Sequence, residues 1–352
     1  MTAPLDVDSF ALQVTAPSEE AAAAARARLA ELAKPVGGLG RLEDLAVWIA
    51  AAQGASPPRD PERARLVVFA GDHGVAAAGV SAFRPAATAR MVELFLSGGT
   101  AVGVLARSAG ATVRLVDLAV DADTPAEVSA RKVRRGSGRA DREDTLTLTQ
   151  AEQAFAAGVA VADEEVDGGA DLLIPGDLGV GNTTTAAVLA AAVTDSEPVR
   201  VTGRGSGIDD ATWMRKITAI RDALRRARPF AGDPVALLAV AGGADVAAMT
   251  GFLVQAAVRR TPVLLDGLVS AAAALLAQSI APGATGWWLA AHRSPEPAHR
   301  IALDRLGLEP VLDLGLGLGQ GAGALAVLPL LRSAVRACSE TATLAEAGIE
   351  RA

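Results

Sequence analysis

The chain has 352 residues and a mass of 35.5 kDa, a length that suits about two domains or one large domain with an appendage. Its hydrophobic share of 51% against a charged share of 21% excludes an intrinsically disordered chain, because disorder needs few apolar residues and a high net charge. The net charge of -7 argues against a nucleic-acid-binding protein, since such proteins usually carry a basic face.

Cysteine and aromatic residues are scarce. Cys338 is the single cysteine, which excludes an internal disulfide framework and a multi-cysteine metal site. This usage suits a reducing compartment, so we expect a cytoplasmic protein. The aromatic share is 3% with no tyrosine, which leaves few side chains for stacking on nucleic-acid bases. Residues 1–14 have no basic segment followed by an apolar one, so we expect no signal peptide.

Two helices are predicted near the start of the chain. Residues 19–32 are rich in alanine, and Ser18 before them is a suitable N-cap. A glycine-rich loop follows, and then the apolar positions Leu42, Leu45 and Ile49 repeat with a helical period.

Short apolar segments, each followed by a loop and a helix, are then predicted to be strands. They are residues 65–71, 111–120, 171–176, 235–242, 262–267 and 287–292. Most are continuous apolar runs rather than alternating ones, which indicates strands covered on both faces. Helical segments lie between them, for example at 186–193, 213–227 and 244–258. This alternation predicts an α/β fold with a mostly parallel sheet flanked by helices.

One uncharged window, residues 267–291, is long enough to span a bilayer. It is interrupted at Pro282 and Gly283, and it carries the polar residues Ser270 and Gln278. We therefore predict a buried helix followed by a turn, and no membrane segment.

Glycine and polar residues follow most of the predicted strands. The strand ends read FAGDHGV, LIPGDLGVGNTTT, AVAGGADVAAMTG, LLDG and LAAHRS. Because ligands bind beyond the carboxyl ends of the strands in parallel sheets, these ends predict one shared site at that edge.

The sequence GDLGVGNTTT at residues 176–185 is the best candidate for phosphate binding. Its glycines let the backbone approach an anion, and the following helix offers N–H groups and a positive dipole end. It is not a Walker A loop, because no lysine follows the last glycine, and its spacing differs from the dinucleotide fingerprint. The alternative interpretation is an N-capped helix after a tight turn.

A second glycine-rich loop, at residues 203–210, precedes a helix that carries Lys216. A lysine ammonium suits phosphate as a point charge. The alternative interpretation is an ordinary solvated lysine on a helix.

Histidines follow two of the predicted strands. His73 comes directly after Asp72, and either a catalytic or positioning role or a purely structural, hydrogen-bonded role fits it. His292 and His299 are separated by two prolines, a spacing that matches no usual zinc pattern, so we expect no metal site. Ser294 between them is a candidate hydroxyl donor.

Taken together, the motifs resemble those of the nicotinate-nucleotide:dimethylbenzimidazole phosphoribosyltransferase family of the cobamide lower-ligand pathway. The matching stretches are KPVGGLGRLEDLA, FAGDHGVAAAGVSAF, MVELFLSGGTAVGVLAR, GDLGVGNTTTAA, GRGSGIDDA, GGADVAAMTG, PVLLDG, HRSPEPAH and LEPVLDLGLGLGQGAGALAVLPLL. They occur in the family's order from about residue 34 to residue 331.

The resemblance implies a fold and a reaction. It implies a Rossmann-like sheet in a large domain at residues 61–329, and a small helical domain built from both chain ends, residues 1–60 and 330–352. The enzyme would be a homodimer that needs no metal or redox cofactor. It would move phosphoribose from nicotinate mononucleotide to an aromatic base, with inversion from the β to the α configuration and release of nicotinate.

The resemblance also implies roles for individual residues. In the family a GNTT-type loop, a lysine and a serine hold the phosphate, and the matching residues here are Gly179, Gly181, Lys216 and Ser294. The full set of expected substrate-binding residues is Gly179, Gly181, Asn182, Thr183, Lys216, Ser294, Gly205, Asp266, Asp72, His73, Ser81, Phe83, Arg90 and Leu318. Asp177 and Gln320 are the expected catalytic residues, Gln320 because it occupies the family's general-base position.

The positions that face the acceptor depart from the family pattern. The family motif LGEGSGA has a glutamate as general base where this chain has Gln320, and a neutral amide cannot accept the acceptor's proton. The glutamate of GEMGIGNTT is Asp177 here, and the glutamine of VTAQM is Arg90. The tyrosine of SAYP is Phe83, and an arginine of LGLRLGEG is Gly317.

Two hypotheses follow from these departures. Donor-side residues are kept while acceptor-side residues change, which favours an altered acceptor that is anionic, phenolic or otherwise easily deprotonated. Alternatively, Asp177 serves as the base and the usual acceptor is kept.

The sequence is therefore compatible with three functions. The first is transfer of phosphoribose from nicotinate mononucleotide to 5,6-dimethylbenzimidazole or to an atypical acceptor, which gives an α-riboside 5′-phosphate. The second is a weakly active or non-catalytic nucleotide-binding paralogue, because of Gln320. The third is another nucleotide-handling enzyme, such as a hydrolase or a transferase with a different donor.

Overall fold

The structure, a computed structural model, describes residues 7–350. The absence of a signal peptide and the outer ends of the predicted small domain rest in part on residues 1–6 and 351–352, which lie outside this range. Within residues 7–350 the α-helices are α1 (Asp8–Gln13), α2 (Glu19–Glu31), α3 (Arg41–Gln53), α4 (Ala87–Leu96), α5 (Ala101–Ala109), α6 (Ala126–Ser129), α7 (Leu148–Asp167), α8 (Asn182–Thr194), α9 (Pro198–Val201), α10 (Asp210–Ala227), α11 (Pro234–Leu237), α12 (Ala244–Val258), α13 (Leu268–Ile280), α14 (Pro297–Leu306) and α15 (Ala322–Glu340). The strands are β1 (Ala64–Gly71), β2 (Thr112–Ala119), β3 (Leu172–Leu178), β4 (Val263–Leu265) and β5 (Trp288–Ala290).

The strands form one five-stranded sheet in the order β2-β1-β3-β4-β5, and all four pairings are parallel. The strand order reverses between β1 and β3, which pair from Ala64↔Leu172 to Ala70↔Leu178. In open α/β sheets a ligand binds in the crevice beyond the carboxyl ends of the strands at such a reversal. The topology therefore places the expected site directly after β1 and β3.

The strands are buried on both faces, as their continuous apolar runs predict. Val67 and Phe69 face one core cluster together with helices α7, α8, α12 and α13. Leu66 and Val68, their neighbours along β1, face the second cluster together with α3, α5 and α15. The predicted α/β fold with a parallel sheet between helices is thus confirmed.

One predicted strand is wrong. Residues 235–242 form helix α11 followed by a π-helical turn, Leu238–Gly242, and they pair with no strand of the described chain. The Asp233 side chain accepts a hydrogen bond from the N–H of Ala236, and Pro234 occupies the first turn, a strong helix-starting signal. The run is apolar because it is buried among helices, and an apolar run of this length does not by itself distinguish a strand from a buried helix.

The predicted N-terminal helices form where expected. The Ser18 hydroxyl caps α2 by accepting the N–H of Ala21, and Leu45 and Ile49 of α3 are fully buried. Helices α2, α3 and α15 pack on one another, and Arg28 of α2 donates to the Cys338 carbonyl near the end of α15. The division of the chain into a small and a large domain stays a prediction.

Helix α13 fills most of the uncharged window at 267–291, followed by a 3₁₀ turn, Pro282–Trp287, and β5, as predicted. By length and hydropathy alone, two other described segments could cross a membrane, Ala87–Ala109 and Ala322–Glu340. The first is interrupted by the turn between α4 and α5, where Gly98 has a φ of 73°, and α15 is largely packed against the sheet and α3.

Candidate active site

A cavity of about 820 Å³ opens at the carboxyl edge of the sheet. Its walls come from the loops after β1, β3, β4 and β5 and from the loop that leads into α15. This volume lies in the range of sites for small molecules and cofactors. Of the five strand ends that predict a shared site, those at LIPGDLGVGNTTT, LLDG and LAAHRS line this space, whereas FAGDHGV and AVAGGADVAAMTG do not.

Most of the predicted site residues line this cavity. They are Ser81, Phe83, Arg90, Asp177, Gly179, Gly181, Asn182, Thr183, Gly205, Ser294, Leu318 and Gln320. The other predicted residues lie behind the wall and bond to residues in it or next to it; they are Asp72, His73, Lys216 and Asp266.

The loop before α8, residues 179–181 (the anion loop), has the geometry of an anion site. Gly181 is the N-cap of α8 with a φ of 97°, a left-handed conformation that glycine adopts readily. A side chain at Gly179 would lie 1.9 Å from the carbonyl oxygen of Gly71, so only glycine lets β1 and this loop approach so closely. The start of α8 therefore presents its backbone and positive dipole end to the cavity.

Lys216 of α10 stands directly behind this loop. Its side chain is buried, the residue being 1% exposed, and its Nζ donates to Thr183 Oγ1 at 2.9 Å. The alternative of a solvated lysine is therefore wrong. Burial lowers the pKa of Lys216 and the charge of Glu296 partly offsets that effect.

Ser294, in the loop after β5, lines the cavity and is oriented by His299. The Ser294 N–H donates to His299 Nδ1 at 3.1 Å, and Ser294 Oγ lies 2.9 Å from the same nitrogen. Burial lowers the pKa of His299 to about 4, and the nearby His292 adds to that shift. His299 is therefore neutral, and the backbone bond to Nδ1 assigns its proton to Nε2.

Asp177, at the end of β3, is a buried carboxylate in the cavity wall. It accepts hydrogen bonds from Asn182 Nδ2 at 2.6 Å and from the backbone N–H of Gln320 at 3.2 Å. Burial is the main cause that raises its pKa to about 7, and the charge of Asp266 raises it further. A carboxyl group that titrates near neutral pH can accept a proton from a substrate and release it to solvent.

Asp266, just after β4, holds the loop that carries Gln320. Its carboxylate accepts the N–H groups of Gly321, Gly323 and Ala324 at 2.9, 2.7 and 3.1 Å. It thereby caps α15 from another part of the chain, because the N-cap residue Gly321 has no side chain. Burial alone would raise the pKa of Asp266, but His292 and these N–H groups lower it.

His73 lies behind the anion loop and does not line the cavity. Its Nε2 is 3.0 Å from Asp245 Oδ2, and its Nδ1 is 3.2 Å from Thr185 Oγ1 in the first turn of α8. Burial disfavours the imidazolium, but Asp245 outweighs this and raises the pKa of His73. These contacts favour the structural interpretation of His73.

Thr88 and Asp245 complete this support, and no sequence motif points to Thr88. The Thr88 hydroxyl donates to Asp72 and accepts the N–H of Val180, so it joins α4 to the anion loop. Asp245 lies in the glycine-rich sequence GGAD. A polar residue after a predicted strand is the sequence signal that could have identified it as part of the site.

The wall formed by α4 and the loops before it and before α15 is mostly apolar. Phe83 is 61% exposed and Leu318 is half-exposed at the cavity mouth. The Arg90 guanidinium pairs with Glu93 on the same helix and its side chain is 80% exposed, so its charge is partly compensated and solvated. The side-chain amide of Gln320 makes no hydrogen bond within the described chain, and its backbone has a φ of 62°.

The fold and site define a doubly wound α/β protein with a nucleotide-sized cavity and a glycine-rich loop that has the geometry of an anion site. The family model DBI_PRT, described as "Phosphoribosyltransferase", matches residues 14–349, and the chain belongs to this family. Among the described residues, no group of three or more histidine, cysteine or acidic side chains is placed to hold a metal ion.

Relatives of known name and structure are similar over nearly the whole chain. The nicotinate-nucleotide--dimethylbenzimidazole phosphoribosyltransferase of Mycobacterium avium is 61% identical over 96% of this chain and 97% of its own. The enzyme of the same name from Mycobacterium tuberculosis is 60% identical over 96% of this chain and 93% of its own. The crystal structure of CobT from Thermus thermophilus matches with a TM-score of 0.90 at 41% identity, over 95% of this chain and all of that one.

Replacing Asp266 tests whether it holds the loop before α15. Asp266→Asn removes the charge and replaces one carboxylate oxygen with an amide NH₂, which cannot accept a hydrogen bond from the backbone N–H groups. We therefore expect the free energy of unfolding at neutral pH to fall by about 1–3 kcal/mol. The lowered pKa means that the wild-type contribution is present above the ordinary aspartate pKa and is lost as the pH falls. Denaturant unfolding at neutral and acid pH measures both effects.

Asp313→Asn is the matched control, because Asp313 is mostly exposed and pairs with Arg293 at 3.5 Å. It should change the free energy of unfolding by less than about 0.5 kcal/mol. Equal losses in the two variants would contradict the role of Asp266.

Proposed function

We propose that this chain transfers phosphoribose from nicotinate mononucleotide to an aromatic base such as 5,6-dimethylbenzimidazole. The names of its relatives supply the donor and the acceptor. The products are nicotinate and the α-riboside 5′-phosphate of the base. The cavity, its anion loop and a buried carboxylate in its wall support this proposal.

The donor's phosphate is assigned to the loop before α8. Gly179 and Gly181 present backbone groups there, Lys216 contributes a cation, and Thr183 and Ser294 contribute hydroxyls. Ser294 can turn its O–H toward the phosphate because the backbone N–H of the same residue still bonds to His299. A dianion held this way fixes the position of the ribose against the acceptor.

Asp177 is the observation that carries the proposed chemistry. The bond between the ribose C1′ and the nicotinate nitrogen breaks, and its electron pair neutralises the pyridinium. A ring nitrogen of the acceptor forms the new bond to C1′, and the proton on the acceptor's other ring nitrogen passes to Asp177. The pKa of about 7 suits this step, because an effective general base titrates near the working pH.

A direct test follows nicotinate release and product mass with a panel of acceptors. The panel holds dimethylbenzimidazole, a purine, a phenol, a carboxylated heteroaromatic compound and water alone. We expect transfer to dimethylbenzimidazole, because an apolar wall suits its methylated ring and Arg90 is already paired with Glu93. Transfer only to phenols or anionic acceptors would favour the altered-acceptor hypothesis, and release without any transfer product would contradict the proposed function.

The role of Asp177 predicts a specific pH profile. The activity kcat/KM should rise with pH through about 7 and then level, because the ionised carboxylate is the active form. Asp177→Asn should lower kcat by about 10²–10⁴ with little change in the KM for the nucleotide. Steady-state kinetics with both substrates varied measures these effects.

Two further variants make this test sharper. Asp313→Asn carries the same substitution away from the cavity and should keep wild-type kinetics. Adding Gln320→Glu to Asp177→Asn places a carboxylate at the neighbouring wall position, and recovered activity would locate the proton transfer at this wall. Full activity of Asp177→Asn alone would exclude Asp177 as the base.

We also propose that the enzyme is a homodimer and works in the cytoplasm. Apolar side chains are exposed on α4 and α5 beside the cavity mouth, namely Leu94, Leu96, Val104 and Leu105. A contiguous exposed apolar surface is typical of a protein interface. The single cysteine, Cys338, is buried and unpaired, as suits a reducing compartment.

Light scattering on the purified chain tests the dimer. We expect twice the chain mass of 35.5 kDa. Leu96→Glu combined with Val104→Glu should give a monomer, because a buried unpaired carboxylate opposes association. Leu148→Glu, at an exposed apolar position on α7, is the control and should stay dimeric. A wild-type monomer at micromolar concentration would contradict the proposal.

A further inference from the structure

Glu296 is a buried carboxylate of the cavity that the proposed chemistry does not use. It precedes α14, is largely shielded from solvent and lines the cavity. Its Oε1 accepts the backbone N–H of Gly205 at 2.7 Å. Its Oε2 is buried without a hydrogen-bond partner, and such an atom is costly unless its charge serves another group.

The Gly203–Gly205 turn lies against both Glu296 and Lys216. A side chain at Gly203 would meet Glu296 Oε2 at 2.2 Å, so this carboxylate occupies the space beside the turn. A side chain at Gly205 would meet Lys216 Nζ at 3.1 Å and Thr183 Oγ1 at 3.0 Å. The turn therefore separates a buried carboxylate from a buried ammonium.

Lys216 is a buried cation with little local support. Its Nζ donates to the neutral Thr183 hydroxyl, and burial favours loss of its proton. Among the described residues, Glu296 is the acid whose charge opposes that loss.

Neighbouring charged groups on the same side are engaged elsewhere. Arg204 donates to the Ile208 carbonyl and pairs with Asp210. Arg215 donates to the Gly79 carbonyl and to Thr212. Neither arginine neutralises Glu296 or takes the place of Lys216 behind the loop.

We propose that Glu296 is a positioning residue of the phosphate subsite, which holds the Gly203–Gly205 turn and keeps Lys216 charged until the nucleotide binds. This inference rests on the proposed function, because it assigns the phosphate of nicotinate mononucleotide to Lys216. The proposed arrangement assigns Glu296 no contact with the reacting carbon or with the acceptor. Its effect is on nucleotide binding and not on the chemical step.

Direct binding of nicotinate mononucleotide to Glu296→Gln tests this role. The amide keeps an oxygen for the Gly205 N–H but removes the charge, so Lys216 should lose its proton at lower pH than in the wild type. Between about pH 7 and pH 9 the phosphate is a dianion. Over this range the affinity of the variant for the nucleotide should fall progressively, to about tenfold below that of the wild type, which is the effect of about one pKa unit. Titration calorimetry without an acceptor gives these dissociation constants.

Kinetics should separate this role from general damage. In Glu296→Gln the KM for the nucleotide should rise with pH while kcat at saturating nucleotide changes less than about twofold, since uniform binding is lost. Glu296→Asp keeps the charge but has a shorter side chain, which reaches Gly205 less well. It should weaken nucleotide binding by a similar factor at every pH, without the additional loss at high pH that is expected of Glu296→Gln. Glu309→Gln, an exposed acid paired with Arg41, is the matched control and should bind as the wild type does.

Gly203→Ala provides a second route if Glu296→Gln does not fold. Its methyl group would displace the Glu296 carboxylate, and nucleotide affinity should fall although both side chains remain. The competing expectation is that Glu296 repels the phosphate. Unchanged or tighter binding by Glu296→Gln across this pH range would therefore overturn the proposal.

The outcome for Glu296 is distinguishable from that of the proposed function. Ribose 5-phosphate serves as a second probe, because it carries the phosphate without the nicotinate. A wild-type chain that binds both probes but releases no nicotinate would contradict the transferase and leave the Glu296 result standing. A wild-type chain that binds neither probe would overturn the assignment of the phosphate to Lys216, and the Glu296 proposal with it.

Discussion

Carboxylates buried at one edge of the sheet determine the site, and three of them, Asp245, Asp266 and Asp177, are compensated differently. Asp245 faces the His73 imidazole, and Asp266 accepts three backbone N–H groups beside His292. Asp177 has only the Asn182 amide and one backbone N–H, so burial and its acidic neighbours dominate. The pKa of Asp177 is raised to about 7 while that of Asp266 is lowered, and such separation of two carboxyl groups is how sites assign acid–base roles.

The same contacts that fix these charges also build the cavity. Asp266 caps α15 and holds the Gln320 loop, while Asp177 accepts the N–H of Gln320 itself. The loop before α15 and the proposed base are therefore joined by one backbone hydrogen bond. His73 bonds to Thr185 of α8, so the loop before α8 rests on the pair between His73 and Asp245. Movement of one wall would change the surroundings of the other.

The sequence predicts much of this arrangement because local signals and global fold agree. Continuous apolar runs mark five buried strands, and the Ser18 cap marks the start of α2. The glycine-rich strand ends predict the common site because parallel strands share a carboxyl edge. The same reasoning gives a wrong prediction for residues 235–242, which are helical. Burial on all sides produces an apolar run in a helix as readily as in a strand.

Other features of the site could not be predicted from the sequence. Lys216 is a helix residue beside several arginines, and only the packing of α10 against α8 shows that it is buried. Thr88 joins α4 to the anion loop through contacts with residues far along the chain. The solvent exposure of Arg90 and its ion pair with Glu93 also depend on the position of α4 in the fold. These properties come from long-range contacts, which carry no local motif.

The neutral amide at position 320 fits a loop that lies against two buried acids, Asp177 and Asp266. A glutamate there would add another negative charge next to Asp177, whose pKa Asp266 and Asp245 already raise. Carboxylates that share a site cannot all ionise near neutral pH, so one of them would keep its proton. With Gln320, ionisation near pH 7 belongs to one group whose position is set by Asn182 and the loop backbone. The substitution that first suggests a lost catalytic base is thus compatible with Asp177 as the base, and the amide remains available to bond the acceptor without competing for its proton.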